Sequence, residues 1–392
     1  MIKQQSILDD AFEVSIPCLR LRQPIGEFFI ATIDRKTLCQ ITYADVRRMS
    51  DDRQFEQYLG IQRPLAANRV KEISQYVNTV DACFPTAVIL AIEARCVEFD
   101  EAKSCLKLTN FLDRENPERN VTFDKIAQVL DGQHRIAGLM EFNGDRFDIN
   151  VSIFIDMDVE SQAYIFSTVN LAQTKVNKSL VYDLFELAKA RSPQKTCHQI
   201  AVALNSYEKS PFHSRIKRLG TATNGKFSET LTQATFVESL IAYLTPDKVQ
   251  DRDTYKRGKT PKAPDANLLR KHIFRSMFIQ ERDMNIADVL SNFFTAVAVR
   301  WPAAWSQGGE GSVLNKTNGF RALIRFLKPA YLHLCWEGEI VSVGQFTTLF
   351  DKIDLEDNYF TIENFKPGTS GESTLFRELM ERSELGSLQA VF

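Results

Sequence analysis

After about residue 158 the strand signals in this chain stop, and that change of pattern constrains the fold more than any other feature. Before it, apolar or alternating runs at 26–33, 86–94, 96–99, 105–108, 125–130 and 150–155 read as strands. The run at 86–94 is almost continuously apolar, as in a strand buried on both faces. Two helical patterns lie among these strands. At 68–80, Val70, Ile73, Val77 and Val80 recur at spacings of three and four. At 133–142, Ile136, Leu139 and Met140 share a face that stops at Asn143-Gly144. Beyond 158, helical patterns follow one another at 159–170, 179–190, 194–206, 228–244, 266–281, 285–300, 318–334, 342–353 and 373–385. The expectation is an α+β chain, with a mixed α/β domain over 1–158 and a mainly helical domain over 159–392. The stretch 245–265, with three prolines and many charges, reads as a mobile basic loop near the middle of the helical part.

Composition narrows the class. Hydrophobic residues make up 44% of the chain and charged residues 25%, which excludes wholesale disorder. The longest apolar run, around 87–92, is far short of the ~20 residues a membrane helix needs. The first residues run into Asp9-Asp10 without an apolar h-region, so a cytoplasmic location is expected. Seven cysteines, odd in number and without a Cys-x-x-Cys pair, read as reduced thiols and not as a disulfide framework or a zinc site. A net charge of −2 argues against a generic nucleic-acid coat. The charge is uneven, however: 248–275 carries nine Lys/Arg against three acids, and 351–363 five acids against one Lys.

One segment stands apart: Val129-Leu130-Asp131-Gly132-Gln133-His134-Arg135-Ile136. A strand ends at Leu130, Asp131-Gly132 turns sharply, and a helix starts with Gln133, His134 and Arg135 in its first turn. Unsatisfied backbone N–H groups at such a start, beside an imidazole and a guanidinium, suit an anion such as phosphate. Gly132 lets backbone approach closely. Asp131 caps the helix or holds a metal or water. The plainer alternative is an N-cap followed by solvated side chains. A second segment has a similar logic: Asn170 ends one helix, Ser179 caps the next, and Gln173, Lys175 and Lys178 lie between them. Arg63 and Arg69 flank the start of the helix at 68–80 and read equally as phosphate ligands or as surface charges. Arg215, Lys217 and Arg218, with Lys256, Arg257, Lys259 and Lys262, are candidate nucleic-acid contacts or simply solvated cations. Trp301 and Trp305 read as core, and His198, His213, His272 and His333 as structural. No Walker A sequence, nucleophile elbow or His-Glu-x-x-His occurs.

The run Asp131-Gly132-Gln133-His134-Arg135 resembles the signature of the DGQHR-domain family, which includes the DNA phosphorothioation regulator DndB and relatives in 7-deazaguanine DNA-modification clusters. Gln62-Arg63-Pro64-Leu65 with Arg69-Val70-Lys71-Glu72 is similar to that family's arginine segment. The stretch from Phe166 through Asn170, Gln173, Lys175 and Lys178 to Leu180 resembles its second motif, and Asn315-Lys316-Thr317-Asn318-Gly319-Phe320 a weaker third. The family in turn resembles the ParB/sulfiredoxin fold, in which a turn at a helix start grips nucleotide phosphates. Gln133 stands where sulfiredoxin carries its catalytic Cys, so sulfinate chemistry is not expected.

The resemblance implies a nucleotide-binding, ATP-hydrolysing component of a bacterial DNA-modification or defence system. Gly132, Gln133, His134 and Arg135 would hold phosphates, and Asn170 and Gln173 the rest of ATP or another nucleotide. Asp131 or Glu72 would orient Mg²⁺ or water, with DNA and the system's modification enzymes as partners and no membrane. The other reading is a DndB-like DNA-binding transcriptional regulator that needs no turnover. A nuclease is disfavoured, because no dense carboxylate cluster for two metals is present.

Overall fold

The structure, a computed structural model, describes residues 12–44, 48–52, 55–59, 65–171, 178–221, 223, 228–306, 311–335 and 338–385. The chain divides into two compact units, Met1–Lys175 and Val176–Phe392. The helix at 159–170 therefore belongs with the sheet, and the mixed unit reaches beyond the expected end at 158.

In chain order the first unit contains β1 (Glu13–Gln23), β2 (Gly26–Asp34), α1 (Arg35–Ile41), β3 (Thr42–Tyr43), β4 (Arg48–Asp52), β5 (Phe55–Leu59) and α2 (Ala67–Tyr76). It continues with β6 (Val88–Ile92), β7 (Val97–Asp100), β8 (Cys105–Thr109), β9 (Ala127–Asp131), α3 (Gln133–Leu139), β10 (Asp148–Ile155) and α4 (Val159–Leu171). Eight strands form one mixed sheet in the order β3-β9-β6-β10-β2-β1-β8-β7, and β4 pairs with β5 as a separate hairpin. β3–β9 and β6–β10 are parallel, and the other pairs of the large sheet are antiparallel.

Apolar residues on both faces of the central strands explain why this sheet is covered twice. Val88, Leu90 and Ile92 of β6 join one cluster with Leu38 and Ile41 of α1 and Ile136 and Leu139 of α3. Ala91, with Phe28, Leu130 and Phe154, faces Ile165 of α4 on the other side. Asp158 starts α4 by accepting from the Ser161 N–H at 2.9 Å, as its position suggests. Two expectations shift: α3 stops at Leu139 rather than 142, and α2 stops at Tyr76, leaving Val80 fully exposed beyond it.

The second unit is helical apart from the short parallel pair β11 (Ile216–Lys217) and β12 (Leu231–Thr232). Its helices are α5 (Lys178–Leu184), α6 (Pro193–Ser206), α7 (Gln233–Ile241), α8 (Lys248–Lys256), α9 (Ala266–Lys271), α10 (Arg275–Ile279) and α11 (Asp283–Arg300). They are followed by α12 (Pro302–Ser306), α13 (Thr317–Leu334), α14 (Val343–Phe350) and α15 (Thr369–Arg382). Phe212 packs edge-on against Phe236, Phe294, Phe320 and Trp305 at the centre of its core. Trp301 and Trp305 are buried, as expected of core residues.

The expected loop at 245–265 is in part a helix. Asp247 caps α8 through the N–H groups of Val249 and Gln250, and Asp251 is buried in an ion pair with Arg275. Three prolines and many charges hid this cap-and-pair arrangement. No helix among the described residues is long and apolar enough to cross a membrane.

Candidate functional site

The conspicuous corner of the sequence folds as a strand, a one-residue turn and a short helix. β9 ends at Asp131, opposite Ile89 at a register shift in its pairing with β6. Gly132 follows at φ +104° and stands at the N-cap of the seven-residue α3. A Cβ at Gly132 would lie 2.9 Å from Val88 Cγ2 and 3.1 Å from the Arg135 guanidinium. Both the left-handed backbone and the close approach therefore require glycine, and the group approached is the start of β6. Gly138 has a matching role: a Cβ there would fall 2.4 Å from Ile73, so it lets α3 lie against α2.

Arg135 turns inward. Its Nη1 donates to the Thr86 carbonyl at 2.5 Å and to Thr86 Oγ1 at 3.0 Å. Its Nη2 donates to the Ala87 carbonyl at 3.1 Å and to Asp131 Oδ2 at 2.9 Å. Burial lowers the guanidinium's pKa, Asp131 opposes that, and the nearby Arg69 charge adds to the lowering. Asp131 is not the helix cap expected of it; Gly132 takes that position, and the carboxylate is held by Arg135 four residues on. His134 is also engaged, its Nε2 accepting from the Ala66 N–H at 3.0 Å. That contact serves the start of α2, where no side chain caps.

These elements enclose a cavity of about 380 Å³ at the edge where β9 ends and β6 begins. Asp131, Gly132, Gln133, His134 and Arg135 line it, together with Arg69 of α2 and Phe166 and Val169 of α4. Ile73, Ile89 and Leu130 supply apolar wall. Arg69 is exposed at this rim and has no ionic partner among the described residues. Thus two guanidiniums meet at one cavity, one neutralised by Asp131 and one not. Asp131 is the one carboxylate among the described lining residues, and Glu72 is not among them.

The remaining candidates divide. Arg63, Gln173 and Lys175 lie outside the described residues, and Asn170 is placed as a backbone position in α4. Lys178 and Ser179 open α5 in the second unit. Lys178 pairs with Glu238 at 2.7 Å. Ser179 is 1% exposed and its Oγ accepts from the Ala234 N–H, so it tethers α7 and offers nothing to a ligand. Arg218 is likewise no nucleic-acid contact: it is buried, and Nε and Nη2 both donate to Asp183, at 3.0 and 2.6 Å. Arg215 donates to the Trp305 carbonyl at 2.8 Å, and Lys217 is half-buried in β11. Lys256, Arg257, Lys259 and Lys262 are exposed.

His198 lies with Asp183 and Glu186, their ligand atoms within 4.8 Å of one another. Arg218 already supplies the cationic charge at Asp183, which disfavours a metal there. Sequence reasoning missed Thr86, Ala87 and Ala66, whose backbone groups anchor Arg135 and His134. The spacing of four between Asp131 and Arg135 was a usable signal for the ion pair; nothing local pointed to the carbonyls.

A family model described as DndB, DNA-sulfur modification-associated, matches residues 16–218, more than half of the chain. The chain belongs to the DndB family. The match includes the corner, all of the cavity's lining residues and the second unit as far as Arg218. Membership places this DndB-family chain among proteins associated with DNA-sulfur modification. No curated protein and no solved structure matches it.

Proposed function

We propose that this DndB-family chain binds a nucleotide in the cavity at the β9–α3 corner and hydrolyses it in the service of a DNA-modification system. The observation that carries this reading is the convergence of Arg69, the 131–135 corner and the end of α4 on one cavity. Its volume of about 380 Å³ lies within the ~300–1,000 Å³ common for small-ligand sites. Arg69 is the phosphate ligand in this scheme, since its guanidinium is not committed elsewhere among the described residues. Arg135 is a strut that holds the corner against β6. Ile73, Leu130, Phe166 and Val169 suit the apolar part of a nucleoside. Asp131 is the one carboxylate among the described lining residues and is already paired with Arg135, so Mg²⁺ would be held mainly by the nucleotide's own phosphates. A single carboxylate does not suit a two-metal nuclease.

Thermal-shift titration with ATP, GTP and CTP, with and without Mg²⁺, tests binding, and phosphate release tests turnover. Arg69→Ala should cost affinity about ten- to a hundredfold, the usual worth of a charge-assisted hydrogen bond. His134→Ala should lower turnover more than affinity if the imidazole acts on developing charge. A wild-type protein that binds no nucleotide refutes the scheme.

One observation favours the second reading, a DNA-binding regulator without turnover: the four exposed cations Lys256, Arg257, Lys259 and Lys262 at and beyond the end of α8. Replacing them by Ala should weaken DNA binding and flatten its salt dependence, by about 0.9 in log–log slope for each phosphate no longer neutralised. Tight DNA binding without any nucleotide affinity selects this reading.

A further inference from the structure

The second unit contains a cavity of about 1060 Å³ lined from α9, α13 and α15, at the upper end of the ~300–1,000 Å³ usual for small-molecule sites. Its residues lie beyond the region matched by the family model, and the proposed nucleotide site does not use them. Leu269, Phe376 and Met380 are among its apolar walls, and Arg270, Arg325 and Lys328 bring positive charge; no Asp or Glu is among its described lining residues. Arg325 is already committed, donating to Glu372 at 3.1 Å and lying 4.4 Å over the Phe376 ring.

Lys328 is different. It is half-buried and has no acidic partner among the described residues. Burial, and then the charge of Lys271, pull its ammonium below the ordinary lysine value. Desolvation and like charge both disfavour the ammonium, and an anion seated beside it would relieve both. The thiol of Cys335, also at this cavity, is pushed up to about 11 by burial and stays a neutral wall. A large apolar space with positive charge, and no carboxylate among its described lining residues, selects a ligand with both characters.

We infer that this cavity binds a small organic anion with an apolar body, its carboxylate or phosphate head against Lys328 and Arg270 and its body against Leu269, Phe376 and Met380. The test is fluorescence titration of the folded full chain with anilinonaphthalene sulfonate, followed by displacement. Decanoate and decyl phosphate are the anionic competitors and separate the two head groups. Decanol and decylamine are the neutral and cationic controls of equal chain length.

An anion should displace the probe better than either control. Lys328→Met should weaken that anion about tenfold, the equivalent of one charge-assisted contact, while decanol is unaffected. Arg270→Gln, at an exposed side chain, repeats the test should Lys328→Met lower the thermal midpoint. The inference is overturned if the folded protein takes up no probe, if all competitors act alike, or if neither variant changes the anion's affinity. It also falls if uptake requires removal of residues 386–392, because the chain's own segment then fills the space.

Discussion

Arg135→Ala should destabilise the first unit even with no ligand present. The guanidinium makes four hydrogen bonds, to the Thr86 carbonyl and hydroxyl, the Ala87 carbonyl and Asp131. Truncation leaves two carbonyls short of a donor and strands the Asp131 carboxylate. Removing one partner of a fully buried ion pair costs about 3–5 kcal/mol. Here the Arg135 and Asp131 side chains keep 15% and 21% exposure, so water reaches the orphaned groups and the loss is set near the lower end, at about 3 kcal/mol. In a domain of about 150–250 residues that corresponds to a fall of about 6–12 °C in thermal midpoint. Circular dichroism on heating measures it, and hydrogen exchange should show reduced protection along β6. Asp131→Ala combined with Arg135→Ala should lose less than the two single changes summed, because no charge is left stranded. If Arg135→Ala melts with the wild type, the strut does not exist and the guanidinium is available to a ligand.

Gly132→Ala should cost about 1–3 kcal/mol, the usual penalty of a residue held in a disfavoured backbone region, and the urea midpoint reports it. Arg218→Met should cost about 3–5 kcal/mol by removing the guanidinium paired with the fully buried Asp183; DNA affinity that falls while stability holds would restore Arg218 as a nucleic-acid contact. At Asp34, burial raises the carboxyl pKa, but hydrogen bonds from Thr37 and Lys36 outweigh it and hold the group below its usual 3.8. A depressed folded value means that this stabilisation is complete above 3.8 and is lost as pH falls through the lower folded value. Asp34→Ala should therefore lower stability at neutral pH by about 1 kcal/mol, as loss of an N-cap does, and less in acid; an equal loss at both pH values would contradict the cap.

Much of the architecture was legible because its signals are local. β6, the β7–β8 hairpin, β10 and the long helices α6, α11 and α13 follow directly from periodicity and turn residues. β1 was not visible, although it carries the alternation Val14, Ile16, Cys18. Pro17 interrupts it, and a proline in a strand argues against one. The structure places Pro17 where β1 changes neighbour, its first half pairing with β8 and its second with β2. Family membership was likewise legible in a few residues, Asp131 to Arg135 above all.

Periodicity shows which positions are apolar, but it does not show where a polar side chain points. Arg135, Arg218 and Ser179 are polar residues at helix starts or in turns, and from sequence all three suit a solvent-facing site. Their partners lie tens of residues away: Thr86 and Ala87, Asp183, and Ala234. A buried cation or hydroxyl must find such partners or carry a large desolvation cost, and only the closed tertiary structure supplies them. Arg69, on a helix that reads as merely amphipathic, reaches the cavity without an ionic partner among the described residues. The sequence alone determined the strand-turn-helix corner and the change to helices beyond the sheet. Which of the charges around the cavity is paired, and which has no ionic partner among the described residues, was decided by long-range packing.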